Sequence, residues 1–130
     1  MVDIDYIMEL LDWNNTQEKQ LFGVELAQNV KCISAFLQPA IPYGKRVWDN
    51  CAKILANRTD DELYPYLHEL FEWLQDLNWP GAICILNRIR NFKTDISKHI
   101  SFKNSIKCAK ALEDDVWERN LKMAMVKSKS

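Results

Sequence analysis

A row of leucines and the turn that follows it constrain the fold of this chain more than any other feature. The row has five members that recur every three or four residues: Leu63, Leu67, Leu70, Leu74 and Leu77. This spacing places all five on one face of a helix. Residues 78–81, Asn-Trp-Pro-Gly, then end this helix and begin another, because proline is tolerated in a first helical turn, where its missing N–H has no partner. The sequence therefore predicts a helical hairpin.

Apolar residues at helical spacing also cover most of the remaining chain. They predict further helices over about residues 4–11, 15–30, 33–37, 45–57, 95–111 and 114–126. Two helix starts carry the side-chain pattern of a capping box: Asn15 with Glu18, and Thr59 with Glu62. Gly23 is predicted to let a neighbouring helix approach closely. No segment alternates apolar and polar residues with a period of two, so the fold class is all-α.

Two short internal similarities favour stacked pairs of helices. Residues 9–14 resemble residues 75–80, each being a helix end followed by a tryptophan, and residues 51–55 resemble residues 108–112. The two similarities alternate along the chain, as expected where corresponding helices of successive pairs pack alike. The sequence therefore predicts antiparallel pairs stacked as a short α-solenoid of the HEAT or armadillo type, with an irregular helical bundle as the alternative.

Length and composition fit one compact domain. The chain has 130 residues, of which 48% are hydrophobic and 27% charged, as in ordinary globular proteins. We expect the domain to span residues 1–126 and residues 127–130 to form a frayed tail. No apolar run approaches the roughly 20 residues of a membrane helix, and the acidic N-terminus does not resemble a secretory signal. The predicted location is the cytoplasm.

The four cysteines form no Cys-x-x-Cys pair. Cys32, Cys51, Cys84 and Cys108 are far apart in the sequence, whereas zinc sites bring their ligands in close pairs. Each lies in an apolar helical pattern, so we expect all four to be small buried side chains in a reducing compartment. A disulfide framework is the alternative, because the number of cysteines is even.

Motifs for catalysis are missing from the sequence. The three glycines are far apart, so there is no phosphate-binding loop, and His68 and His99 lie in different predicted helices without a nucleophile beside them. The acidic pairs at residues 60–61 and 114–115 fall at predicted helix starts, where carboxylates favour the helix dipole. We therefore expect a protein that is not an enzyme and that holds no cofactor and no metal.

Charge is segregated along the chain although the total is only −1. Residues 60–76 contain six acidic side chains and no lysine or arginine, whereas residues 87–110 contain seven basic side chains and one aspartate. Lys103, Lys107 and Lys110 are four and three residues apart, so they lie on one helical face. Such a face attracts anionic partners. The alternative is a solvated face that pairs with the acidic helices of the same chain.

The candidate binding surface consists of five residues: Trp73, Arg88, Lys103, Lys107 and Lys110. Arg88 is expected to join the lysines from the preceding helix, and Trp73 lies off the leucine face. The predicted function is a non-enzymatic interaction module whose basic face binds an acidic protein. Nucleic-acid binding and an immunity-type protein that neutralises a toxin are the alternatives, and the sequence leaves the oligomeric state open.

Three segments carry a resemblance to a known family. They are Leu-Asp-Trp-Asn-Asn at residues 11–15, Val-Trp-Asp-Asn-Cys-Ala-Lys-Ile-Leu at 47–55 and Glu-Trp-Leu-Gln-Asp-Leu-Asn-Trp-Pro-Gly-Ala at 72–82. The chain resembles a small bacterial family that is classed as a domain of unknown function, and the likeness extends to about residue 91. The resemblance implies a soluble, HEAT-like helical protein without an established activity, and it transfers no catalytic residue.

Overall fold

The computed structural model describes residues 3–40 and 42–127, which fold into α-helices joined by short connections and 3₁₀ turns. The α-helices are α1 (Ile4–Leu11), α2 (Gln17–Ala27), α3 (Trp48–Ala56), α4 (Asp60–Leu63), α5 (Leu67–Glu72), α6 (Ala82–Arg90), α7 (Ile100–Ala111) and α8 (Asp115–Ala124). The 3₁₀ turns are Ile33–Phe36, Gly44–Val47, Tyr64–Tyr66 and Trp73–Gln75. The described residues contain no strand, so the all-α prediction is confirmed.

The helices pack in pairs around one apolar core. Helix α1 packs on α2, α3 packs on α6, and α7 packs on both α5 and α8. The connections between α1 and α2 and between α7 and α8 are short, as in antiparallel hairpins. Four leucines of the predicted row are fully buried, namely Leu63, Leu67, Leu70 and Leu74. This stacking is consistent with both the solenoid and the bundle that the sequence allowed.

A glycine sets the distance between α1 and α2. A Cβ atom on Gly23 would lie only 2.9 Å from Leu10 Cβ and 2.9 Å from Leu11 Cδ2. Real Cβ atoms do not come this close to a neighbouring side chain, so only glycine fits between the two helices. The predicted close approach at this position is therefore confirmed.

One of the two predicted capping boxes is present. Thr59 Oγ1 accepts a hydrogen bond from the Glu62 N–H at 3.2 Å, and Glu62 Oε1 accepts one from the Thr59 N–H at 3.1 Å. The prediction for the start of α2 is wrong by one residue. Thr16 is the N-cap there, and Asn15 instead donates its side-chain amide to the Glu9 carbonyl. The side-chain amide of Asn15 binds the end of the preceding helix, and the three-residue capping-box pattern does not include that contact.

The helix predicted to carry the row of leucines is interrupted by 3₁₀ turns. Pro65 lies within the 3₁₀ turn Tyr64–Tyr66, because proline lacks the N–H that an α-helix would use there. A second 3₁₀ turn, Trp73–Gln75, ends the segment. The long helix of the sequence interpretation is therefore α4 and α5 separated by a tightened turn.

The Asn-Trp-Pro-Gly turn separates two helices as predicted, but its proline has a different place. Gly81 is the N-cap of α6, so Pro80 precedes the helix instead of lying in its first turn. Gly81 has a φ of +81°, and a Cβ there would lie 2.8 Å from the Trp48 carbonyl oxygen. Both the left-handed backbone and the contact with α3 require glycine.

Side chains from later helices bind the free carbonyl groups at the ends of earlier helices. The last carbonyls of a helix have no partner within the helix. Arg58 Nη2 donates to the Ala27 carbonyl at 3.0 Å and to the Val30 carbonyl at 2.6 Å, beyond the end of α2. Arg88 Nε donates to the Ala56 carbonyl at 3.1 Å, at the end of α3.

Helix α8 closes the end of α5 in the same way. Trp117 Nε1 donates to the Phe71 carbonyl at 3.0 Å, and Asn120 Nδ2 donates to the Leu74 carbonyl at 2.8 Å. Both donors are buried, so these bonds form away from water. The ends of α2, α3 and α5 are thus bound by polar side chains from later parts of the chain.

The predicted tail is described at its first residue, and residues 128–130 lie outside the described residues. Lys127 is described, and its Nζ donates to the Phe92 carbonyl. Within the described residues, no helix has the length and apolar character needed to cross a membrane.

Candidate functional site

Helix α7 carries three of the predicted binding residues on its solvent side. Lys103, Lys107 and Lys110 are all exposed. With 3.6 residues per turn, their positions fall within an arc of about 60° around the helix axis and span about 10 Å along it. We call these three residues the lysine row. The structure therefore brings together the three lysines that the sequence placed on one face.

The opposite side of α7 fixes the direction in which the lysine row points. Ser105 and Ala109 are buried, and their small side chains let α7 pack closely on its neighbours. Phe102 contacts Phe71 of α5 edge to face, with ring centroids 5.7 Å apart. His99 caps the start of the helix, since its Nδ1 accepts a hydrogen bond from the Ser101 N–H at 3.0 Å. Packing on one side thus holds the lysine row in water on the other.

The lysine row has no ion-pair partner among the residues described. No carboxylate oxygen in residues 3–40 or 42–127 lies within 4.0 Å of the ammonium group of Lys103, Lys107 or Lys110. Glu118 is the acidic residue whose pKa responds to a lysine of the row. Its pKa is lowered mainly by the hydrogen bond from Lys122, and the charge of Lys110 adds a smaller contribution. Internal pairing with the acidic helices, the alternative noted from the sequence, does not occur here.

An exposed apolar residue lies beside the lysine row, and the sequence interpretation missed it. Ile100 is 63% exposed at the start of α7. Leu112, 65% exposed just after the end of α7, follows the buried Ala109 by three residues and so lies on the other side of the helix. The signal was present, because Ile100 precedes Lys103 by three residues and so shares its side of the helix. An aliphatic side chain on the charged side of a helix is a departure from the amphipathic pattern.

Arg88 does not belong to the lysine row, contrary to prediction. Its guanidinium group donates to the carbonyls of Ala56 and Arg58 and, at 2.6 Å, to Asp60 Oδ1. It also lies over the ring of Phe92, 5.0 Å from the centroid. The side chain is only 15% exposed. Arg88 is therefore a structural residue that joins α6 to the end of α3.

The carboxyl group of Asp60 responds to this contact. Partial burial by itself would raise its pKa. Hydrogen bonds from the Lys93 backbone N–H and from Arg88 outweigh that effect, so the pKa of Asp60 lies below its usual value. Asp60 is consequently ionised together with Arg88, and the pair acts as a fixed link between α4 and α6.

Trp73 is not available to a partner, so the prediction that it belongs to the binding surface is wrong. Its side chain is completely buried. The indole Nε1 donates to the Pro80 carbonyl at 3.0 Å, and the ring meets Trp48 edge to face at 5.9 Å. Trp73 lies off the leucine row because it packs beneath the turn at residues 78–81. Its position along the helix is compatible with both burial under that turn and exposure to solvent, so the sequence alone could not separate the two.

An open cleft lies beside the Asp60–Arg88 pair. It encloses about 880 Å³, and its lining includes Thr59, Asp60, Tyr64, Arg88 and Lys93. Tyr64 contacts His99 edge to face at 4.7 Å on one side of it. The lining carries three carboxylates, Asp60, Asp61 and Asp95, and two basic groups, Arg88 and Lys93, and Arg88 and Asp60 form an ion pair.

The cysteines differ in exposure, and the prediction that all four are buried is wrong. Cys51 is buried, and burial raises the pKa of its thiol far above the usual range. Cys84 is half-buried, and its pKa is raised mainly by desolvation. Cys32 and Cys108 are exposed. All four thiols are free. In the part of the chain that the structure describes, no three His, Cys, Asp or Glu side chains are placed to hold a metal ion.

Comparison with known proteins assigns the chain to a family. The family model of DUF5071, a domain of unknown function, matches residues 41–130. The chain belongs to this family. No curated protein and no solved structure matches the chain. The predicted resemblance to an uncharacterised family is thereby confirmed, with one correction of extent, because the match includes the lysine-bearing α7 and α8 and leaves α1 and α2 outside it.

Proposed function

We propose that this protein is a non-enzymatic interaction module that binds an acidic protein surface through the lysine row of α7. The observation that carries the proposal is the exposure of Lys103, Lys107 and Lys110 on one side of a rigidly packed helix without an internal ion-pair partner. Unpaired charges of one sign speed the encounter with an oppositely charged partner and favour it over others.

The proposal includes a HEAT-like stacking of the helix pairs. Its support is that α3 packs on α6, that α7 packs on α5 and α8, and that side chains of later helices bind the ends of earlier ones. Stacked pairs of this kind present long helical surfaces to partners. The proposal also places the protein in the bacterial cytoplasm, where the exposed thiols of Cys32 and Cys108 would stay reduced.

Nucleic acid suits the lysine row less well than protein does. Proteins that bind single strands add aromatic side chains on which bases stack. The aromatic residue of α7 is Phe102, and it is turned inward against Phe71. Arg88, which would have supplied a guanidinium group for phosphate, is bound to carbonyls and to Asp60. A toxin is one kind of acidic partner, and no residue described here selects it.

Affinity capture with a matched control tests the proposal. The wild-type protein, the Lys103→Glu/Lys107→Glu variant and the Lys19→Glu/Lys31→Glu variant serve as baits in lysate of the source organism, with and without nuclease. Lys19 and Lys31 are exposed and lie on α2 and in the loop after it, so both variants change the net charge equally. Thermal unfolding of each bait checks that it is folded.

The proposal requires that the wild type and the control variant capture a protein partner that the Lys103→Glu/Lys107→Glu variant does not capture. Capture of this partner should persist after nuclease treatment. Reversal of two contact charges should weaken the interaction by at least about tenfold, roughly 1.4 kcal/mol. A partner that all three baits retain would show that the lysine row is only solvated surface. A partner that disappears on nuclease treatment would favour nucleic acid instead.

A further inference from the structure

We infer that the occupant of the lysine row is an acidic amphipathic α-helix that lies along α7. This inference rests on the proposed function, and it goes further by naming the shape of the partner. It starts from the combination of features on one side of α7. The lysine row carries three positive charges, and Ile100, three residues before Lys103, lies exposed on the same side.

The spacing of the lysine row points to a helix. The lysines lie at positions i, i+4 and i+7, and a helix rises about 1.5 Å per residue, so the charges are spread over about 10 Å. A second helix packed nearly parallel or antiparallel, at a crossing angle of about 20°, repeats its side chains with the same period. Carboxylates at i, i+4 and i+7 of that helix can therefore meet all three lysines at once.

Ile100 adds an apolar contact at one end of the partner. Ile100 and Lys110 are ten positions apart in the sequence, which corresponds to about 15 Å along a helix. An apolar side chain of the partner helix, one turn before its acidic row, would cover Ile100. Together with the charges, this requires about three helical turns in the partner. A phosphate backbone supplies charge but no apolar group to cover Ile100.

The lysines can reach such a partner without leaving the helix surface. A lysine stem lies along apolar surface while its ammonium group stays in water or meets a carboxylate. The row has no ion-pair partner in the described residues that must be displaced first. Binding of an acidic helix therefore costs this surface no existing salt bridge, and the cost lies in ordering the lysine side chains and the peptide.

A pair of designed peptides tests the inference directly. The first is a blocked, fluorescein-labelled, alanine-based peptide of about 18 residues, long enough to form helix in water. It carries one leucine and three glutamates at the spacing of Ile100, Lys103, Lys107 and Lys110. The second has the same composition, but its glutamates are spread around the helix. Fluorescence anisotropy measures binding to the wild type, the Lys103→Glu/Lys107→Glu variant and the Lys19→Glu/Lys31→Glu variant.

The inference predicts that the matched peptide binds the wild type and the control variant at least tenfold more tightly than it binds the lysine-row variant. The rearranged peptide should bind the wild type at least fivefold more weakly than the matched one, and Ile100→Ser should weaken the matched peptide severalfold. Equal binding of the two peptides to the wild type overturns the inference. Failure of the matched peptide to bind at about 1 mM, which corresponds to a binding free energy of about −4 kcal/mol, overturns it as well.

The proposed function can survive that failure. If affinity capture finds a protein partner that depends on the lysine row while the matched peptide does not bind, the acidic surface exists but is not a helix. If neither experiment shows dependence on the lysine row, both proposals fail together. Tighter binding of a single-stranded oligonucleotide than of the matched peptide, lost in the lysine-row variant, would overturn both in favour of nucleic acid.

Discussion

Removal of the Arg88 side chain should destabilise the protein far more than removal of any residue of the lysine row. The Arg88→Ala variant leaves the Ala56 and Arg58 carbonyls without a donor and Asp60 without its ion-pair partner. A buried acceptor left unpaired costs about 1–3 kcal/mol, and bonds to charged groups lie at the upper end of that range. Asp60 is 27% exposed and keeps the Lys93 N–H, so its share is discounted. The expected loss is about 3 kcal/mol.

The assay is urea unfolding at pH 7, followed by tryptophan fluorescence, on Arg88→Ala, Arg88→Lys and the control Lys103→Ala. Lys103→Ala should change the free energy of unfolding by less than about 0.5 kcal/mol, as for most surface positions. Arg88→Lys keeps the charge but cannot reach two carbonyls and a carboxylate with one compact ammonium group, so most of the loss should persist. Equal, small effects of Arg88→Ala and Lys103→Ala would refute the structural role assigned to Arg88.

Two further predictions concern acid stability and thiol reactivity. The pKa of Asp60 is lower in the folded protein than in the unfolded chain, where it is about 4. The ionised carboxylate therefore stabilises the fold above about pH 4, and this stabilisation is lost as pH falls through the folded pKa. In urea titrations, Asp60→Asn should be less stable than the wild type at pH 7 and should differ little from it near pH 2. Ellman's reagent should label Cys32 and Cys108 in the folded protein within seconds and Cys51 only on unfolding, and rapid labelling of Cys51 would contradict its burial.

Local rules predicted the elements of this fold that depend on neighbours in sequence. Four of the five leucines of the row are buried, the Thr59–Glu62 capping box forms, and the turn at residues 78–81 separates two helices. Each rests on residues at most a few positions apart, where helix geometry fixes which side chains meet. The same is true of the lysine row, whose exposure follows from the inward side of α7.

Local rules failed where the deciding contact lies far along the chain. Arg88 is only 15% exposed because carbonyls and a carboxylate about thirty positions earlier accept its hydrogen bonds. Trp73 is buried because the hairpin turn after it folds back over the indole ring. The spacing of residues within one helix predicts neither of these long-range contacts. A sequence pattern thus separates inward from outward sides well, but it does not reveal which charged or aromatic side chain closes the end of another helix.

The binding of early helix ends by late side chains has a consequence for synthesis on the ribosome. The chain emerges N-terminus first, so α5 leaves the exit tunnel well before Trp117 and Asn120 do. Until those two residues arrive, the Phe71 and Leu74 carbonyls must remain in contact with water, and the core beneath them stays open. The native contacts at the end of α5 are therefore completed only once α8 has been synthesised.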